Sequence, residues 1–193
     1  MELGRTMKVL KNSLRISHDI VEKVVCEGDV VVDATAGNGN DTLFLAKLVG
    51  ESGHIYSFDI QDIAIEKTKE KLEAGKVAER VTLIKDGHQN IDKYLQKDIK
   101  AAMFNLGYLP GGNHSVHTTS HTTILAIQKC LDLLVPHGIV MLVIYYGGDS
   151  GFDEKGAVMN FLSTLDCKKY SVLMHDFINQ INCPPIAVCI EKL

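Results

Sequence analysis

Polar and apolar positions along the chain fall into alternating blocks with two different rhythms. Short apolar runs bounded by glycine, aspartate or asparagine read as strands. They occupy Asp29–Ala34, His54–Asp59, Val81–Lys85, Ile99–Leu106 and Ile139–Tyr146. Longer mixed segments read as helices at Leu14–Val25, Thr42–Val49, Ile63–Ala74, Thr122–Leu134 and Glu154–Leu165. Two further strands, Lys169–Asn179 and Ile186–Lys192, flank Cys183-Pro184-Pro185, and so short a connection predicts an antiparallel pair. Strand–helix alternation predicts an α/β fold with a mostly parallel, doubly wound sheet.

The first strand and the turn after it organise this pattern. Val30-Val31-Val32 leaves no polar face, as in a parallel strand covered on both sides. Gly37 and Gly39 permit positive φ and a close approach of backbone to ligand. Asn40 or Asp41 is expected to cap the helix that begins at Thr42. A dinucleotide site wants G-x-G-x-x-G with a pyrophosphate over the helix N-terminus. Here Thr42 replaces the third glycine, and Asp33 at the strand end would repel a pyrophosphate. S-adenosylmethionine has no phosphate and carries an ammonium and a sulfonium, so charge favours it over NAD.

Ligands of such sheets bind at the carboxyl ends of the strands. Asp33, Asp59, Asp86 and Asn105 each end a strand. Asp59 lies 20 residues beyond Gly39, where an acid accepts both hydroxyls of an adenosine ribose, although a surface turn acid before Gln61 is the alternative. Asp86-Gly87-His88 suits an adenine: the carboxylate accepts from the exocyclic amine and a backbone N–H donates to a ring nitrogen. Asp86 also reads as a simple turn former beside Gly87.

Length and composition add bounds. The 193 residues are read as one domain, with residues 1–28 as a basic arm and helix. No apolar run reaches the roughly 18 residues of a membrane span. Five cysteines without a C-x-x-C pair read as reduced cytoplasmic thiols rather than a disulfide frame or metal site. Net charge is −4, against broad nucleic-acid binding, yet residues 1–15 carry Arg5, Lys8, Lys11 and Arg15 against Glu2 alone. That segment is either a local contact for a phosphate backbone or an ordinary solvated face.

Val31–Thr42, Asp59 and Asp86 resemble the successive motifs of class I S-adenosylmethionine-dependent methyltransferases, whose Rossmann-like seven-stranded sheet ends in an antiparallel strand. Over residues 8–193 the likeness narrows. Five blocks carry it: Asp33-Ala-Thr-Ala-Gly-Asn-Gly-Asn-Asp41, Phe104-Asn-Leu-Gly-Tyr-Leu-Pro-Gly-Gly112, Thr122-Thr123, Tyr145-Tyr146-Gly-Gly-Asp149 and Asn182-Cys-Pro-Pro185. Together they resemble a small bacterial family long labelled rRNA methylase, which includes the methyltransferases of tRNA wobble-uridine 5-aminomethyl groups. The resemblance implies S-adenosylmethionine as cofactor, with Asn38, Asn40, Asp59, Gln61 and His88 at it; the turn and strand-end residues Asp33, Gly37, Gly39, Asp41, Asp86, Gly87 and Asn105 complete the expected cofactor set. It implies the anticodon region of tRNA as substrate and a homodimer as assembly.

Asn105-Leu106-Gly107-Tyr108-Leu109-Pro110 stands where amino methyltransferases often carry an Asn/Asp-Pro-Pro-aromatic turn, so Asn105, Tyr108 and Pro110 are the candidate catalytic residues. Leu106-Gly107 replaces the prolines, a more open turn that suits a flexible alkylamine. Such an amine has a pKa of about 10.4 and loses a proton before it attacks, with solvent as one acceptor. His114, His117 and His121 crowd the same loop as a possible base or phosphate contact; their spacing is poor for a metal. Thr118, Thr119, Thr122 and Thr123 read as helix caps or phosphate contacts, and Tyr145 or Tyr146 as a stacking wall, with a core position the alternative for Tyr145. The alternatives are an rRNA or small-amine methyltransferase, a non-catalytic S-adenosylmethionine-binding module, and an NAD-dependent oxidoreductase.

Overall fold

A computed structural model describes residues 10–96, 98–107, 118–147 and 151–193. In chain order the elements are α1 (Ser13–Val21), β1 (Val30–Asp33), α2 (Asn40–Leu48), β2 (His54–Asp59), α3 (Asp62–Ala74) and β3 (Val81–Lys85). They continue with β4 (Ile99–Leu106), α4 (Ser120–Leu133), β5 (Leu134–Ile144), α5 (Gly151–Ser163), β6 (Tyr170–His175) and β7 (Ile186–Lys192). Short 3-10 helices precede β3 (Ala78–Arg80) and follow it (His88–Lys93); the sequence pattern does not signal either.

The seven strands form one sheet in the order β3-β2-β1-β4-β5-β7-β6. Strands β1 to β5 pair in parallel, and β7 runs antiparallel to both β5 and β6. The chain winds outward from β1 to β3, returns to lay β4 against β1, and winds outward the other way. Strand order therefore reverses between β1 and β4, and a crevice opens there at the carboxyl ends.

The two-residue period of a strand divides the core between the two faces. Val31, Ala101, Met103, Ile139 and Met141 pack with Val21 of α1, Leu45 of α2 and Leu72 of α3. Val32, Ala102, Phe104, Val140 and Leu142 pack with Ala126 and Ile127 of α4 and Val158 and Leu162 of α5. Central strands covered on both faces need apolar residues at every position, which is why their sequences show no alternation.

Several boundaries differ from the sequence reading. α1 stops at Val21, and Val24 and Val25 continue in a turn whose N–H groups reach back to Val21. α4 passes directly into β5 at Leu134, because Leu134 and Val135 serve a strand as well as a helix. Gly39, in the left-handed region at φ 72°, is the N-cap of α2; Asn40 and Asp41 lie in the first turn, and neither caps it.

Candidate functional site

The β1–α2 turn is built from its backbone outward. Ala34 N–H donates to Met103 O at 2.9 Å and Ala36 N–H to Phe58 O at 2.8 Å, which ties the turn to β4 and β2. Gly37, at φ 55°, donates its N–H to Asp59 Oδ2 at 2.9 Å. A Cβ on Gly39 would stand 2.8 Å from the Thr68 Cα, so only glycine lets α3 close against the turn. The turn opens on a cavity of about 740 Å³ at the carboxyl ends of the central strands, within the range of small-molecule sites.

Of the predicted cofactor residues, Gly37, Asn38, Asn40, Asp41, Asp59, Gln61, Asp86, Gly87, His88 and Asn105 line this cavity. Asp33 and Gly39 do not. Asp33 is buried under the turn, where Thr42 Oγ1 donates to Oδ2 at 2.6 Å and Thr35 N–H to Oδ1 at 3.1 Å. Burial first, then the charge of Asp41, pushes its carboxyl up to about 7. Asp33 thus shapes the turn from below, and the acids that line the cavity are Asp41, Asp59 and Asp86.

On the β2–β3 side, Asp59 Oδ2 holds Gly37, and Asp59 Oδ1 accepts the Gln61 N–H at 2.9 Å. Asp86 accepts from Gly87 N–H at 2.7 Å, Asn90 Nδ2 at 2.9 Å and the Tyr94 hydroxyl at 3.0 Å. The Asn90 bond leads the causes that hold its carboxyl below the usual range. The turn-forming role and the cavity-lining role of Asp86 therefore coexist. His88 is buried, and Nδ1–H donates to Ala34 O at 3.1 Å, which fixes the tautomer and leaves Nε2 as an acceptor without a partner among the described residues. Burial lowers its pKa and keeps the ring neutral.

On the β4–β5 side, Asn105 N–H donates to Thr35 Oγ1 at 2.7 Å, and its side-chain amide donates to Asp41 Oδ2. A carboxylate only accepts, so the group facing Asp41 must be the NH₂. Oδ1 is left buried at the cavity wall without a partner among the described residues. Gly107, at φ 148°, donates its N–H to Thr118 Oγ1 at 3.1 Å, and Thr118 donates onward to the buried Glu154 at 2.8 Å. Thr119 caps α4 by accepting the Thr122 N–H. Tyr145 is exposed at the rim, whereas Tyr146 is buried with Lys155 Nζ 3.5 Å from its ring centre. His121 is exposed at the start of α4 and is not a lining residue. Tyr108, Pro110, His114 and His117 lie outside the described residues.

Sequence reasoning did not place two parts of the wall, or one residue behind it, at the site. Leu14 of α1 lines the cavity, as does Asn182–Pro185, where Asn182 and Cys183 take φ 65° and 47° and Ser13 Oγ donates to Pro185 O. Behind the wall, His18 of α1 donates Nε2–H to Asp41 Oδ1 at 2.7 Å. The partners are 172 and 23 residues apart, so no local pattern announces them. The described part of the basic arm turns onto its own helix instead: Lys11 and Arg15 both pair with Asp19, at 2.7 and 3.3 Å.

Among the described residues, three acids, two buried amide oxygens without a partner (Asn38 and Asn105) and a neutral imidazole acceptor make a wall poor in cations and rich in acceptors. It fits a cationic ligand bearing hydroxyl and amine donors, as S-adenosylmethionine does, and disfavours a pyrophosphate. Fold and site together define an S-adenosylmethionine-dependent methyltransferase of Rossmann-like architecture. The family model described as "Putative rRNA methylase" matches residues 55–191, and the chain belongs to that family. The chloroplastic tRNA (mnm(5)s(2)U34)-methyltransferase of Arabidopsis thaliana is 35% identical, over 94% of this chain and 70% of its own length. A crystal structure of a "putative rRNA-methylase" from Clostridium thermocellum superposes with a TM-score of 0.95 at 60% identity, covering 96% of this chain and all of that one. A "putative methyltransferase" from Streptococcus mutans, solved in complex with SAH, gives 0.89 at 45% identity over 96% of this chain and 100% of its own.

Proposed function

We propose that the enzyme methylates the 5-aminomethyl group of the wobble 2-thiouridine in tRNA, giving the 5-methylaminomethyl form. The carrying observation is the unpartnered Asn105 Oδ1 at the cavity wall, its orientation set by the amide bond to Asp41. An oxygen fixed there accepts an N–H, and so selects an amine over a carbon or a bare ring nitrogen. The named activity of the Arabidopsis relative supports the same substrate.

S-adenosylmethionine supplies an electrophilic methyl group when bound. Asp59 would receive the ribose hydroxyls, Asp86 and the Gly87–His88 segment the adenine, and Gly37, Asn38 and Asp41 the amino-acid end. Asn105 Oδ1 holds one hydrogen of the acceptor amine, so that the nitrogen lone pair faces the methyl group at about 3 Å. The acceptor arrives as an ammonium, and the loss of solvent around it on entering the cavity favours the neutral form that attacks. The released proton leaves to solvent along the open rim near Tyr145. Tyr108 and Pro110 are the further candidate catalytic residues of this proposal. An anticodon-loop site of action, a homodimer and a cytoplasmic location belong to it too; all five cysteines are free, and no helix among the described residues is long and apolar enough to cross a membrane.

Nucleoside analysis of tRNA and rRNA from a deletion strain tests the proposal. Accumulated 5-aminomethyl-2-thiouridine is the expected result. Unchanged tRNA alongside rRNA lacking a methyl group would replace this substrate with a ribosomal one.

A further inference from the structure

The Asp41 carboxylate that orients Asn105 is itself held from outside the sheet's motifs. It is 5% exposed, and its two oxygens are divided: Oδ2 takes the Asn105 amide and Oδ1 takes His18 Nε2–H at 2.7 Å. The His18 ring stacks on Phe44 of α2, with 3.9 Å between centroids and 8° between planes. It therefore has little rotational freedom. α1 is fixed in turn by the bond from Ser13 to Pro185 O, beside the cavity.

We infer that His18 is a positioning residue for methyl transfer: through Asp41 it locks the Asn105 side chain with Oδ1 toward the acceptor amine. The inference rests on the acceptor role given to Asn105 above. The physical reason lies in the terminal torsions. Carboxylate and amide groups rotate in broad, nearly two-fold wells, so neither Asp41 nor Asn105 sets its own orientation. A donor on the far oxygen of Asp41 removes that freedom for both, and charge assistance strengthens the two bonds. Without it, Asp41 can turn to another donor, and the Asn105 amide is free to flip. A flipped Asn105 presents NH₂ to the amine, donor against donor. The N-terminal helix, far from the glycine turn in sequence, thereby joins the acceptor site.

Three variants separate this role from a structural one. His18→Phe keeps a ring on Phe44 and deletes the donor. His18→Gln restores an N–H₂ donor on a side chain long enough to reach Asp41. Asn105→Ala identifies the Asn105 side-chain amide signals in a ¹H–¹⁵N spectrum by their disappearance. In His18→Phe those signals move and broaden, and kcat on tRNA bearing 5-aminomethyl-2-thiouridine falls about 10- to 100-fold, as for a slightly misplaced acceptor. SAH affinity measured by calorimetry falls much less than kcat, because Asp59 and Asp86 keep their places. In His18→Gln both the signals and most of the turnover return. Amide signals unmoved in His18→Phe would overturn the inference whatever the substrate, and so would a His18→Gln enzyme as slow as His18→Phe. Undiminished methylation by Asn105→Ala would instead overturn the acceptor role of Asn105.

Discussion

Thr42 donates its hydroxyl to the carboxylate of Asp33 at 2.6 Å, in a space from which solvent is excluded beneath the glycine turn. Thr42 also meets Ser57 Oγ at 2.9 Å, so β1, α2 and β2 share one buried polar knot. Hydrogen bonds to the carboxylate favour its charged form, but burial and the charge of Asp41 outweigh them and raise its pKa to about 7.

That pKa makes stability depend on pH. The unfolded chain releases the Asp33 proton near 3.9, the folded chain near 7, so between those values the folded state holds more protons. Stability gained from Asp33 is complete below about 4 and is lost as pH rises through about 7. Asp33→Asn removes the titration and preserves an acceptor for the Thr35 N–H. From pH 5 to pH 8 the wild-type melting temperature should fall by several degrees relative to Asp33→Asn, as followed by circular dichroism. Parallel curves for the two proteins would remove the buried acid from this account.

Gly39 makes a second prediction. Alanine there must adopt φ 72° and place its Cβ 2.8 Å from the Thr68 backbone, which belongs to a different helix and cannot rotate aside. Gly39→Ala should cost about 2–4 kcal/mol, from left-handed strain and overpacking together, read from urea unfolding. Gly156 of α5 is exposed with nothing within 4 Å of its missing Cβ. Gly156→Ala should stabilise by about 0.5–1 kcal/mol as an exposed helix position. Equal effects at the two sites would refute the packing argument.

The Asp59 carboxylate carries the third. Both oxygens accept backbone N–H groups, from Gly37 and Gln61, at 2.9 Å each. In Asp59→Asn one of those N–H groups faces an NH₂, and the negative charge is gone. A hydrogen bond to a charged group contributes about 1.5–3 kcal/mol, so with the ribose hydroxyls facing a neutral amide SAH binding by calorimetry should weaken roughly 10- to 100-fold. Undiminished affinity would separate Asp59 from the cofactor.

How much of this was legible beforehand follows from the range of each interaction. Val30-Val31-Val32 and Ile99–Leu106 announce covered strands because full burial demands apolar residues at every position. Asp59 and Asp86 follow from strand ends, and both line the cavity. Asp33 misled in one respect: a strand-end acid next to a glycine turn looks solvent-facing, yet Thr42, nine residues on, draws it inward. Leu134 and Val135 suit helix and strand equally, so the α4–β5 junction is settled by pairing with β4 and not by local preference. His18 and Asn182–Pro185 reach the site only through the packing of α1 and the β6–β7 connection, which no short-range pattern encodes.

Cys183 tests the division of the cavity. It sits just before β7, whereas Asp59 and Asp86 end β2 and β3 on the other side of the switch point. Four strand spacings separate β2 from β7, roughly 19 Å at about 4.8 Å each. A group attached at Cys183 should therefore crowd the acceptor and leave the adenosine end free. Cys26, Cys167 and Cys183 are exposed, while burial pushes the Cys189 thiol up to about 11 and the Cys130 thiol higher. In a Cys26→Ser, Cys167→Ser background, N-ethylmaleimide should label Cys183 and leave the other two thiols protonated and unreacted. Mass spectrometry checks the single adduct. Methylation of tRNA by the labelled enzyme should fall while SAH affinity holds; if both fall together, the adenosine and acceptor ends are not separate, and the strand-order argument for the site fails.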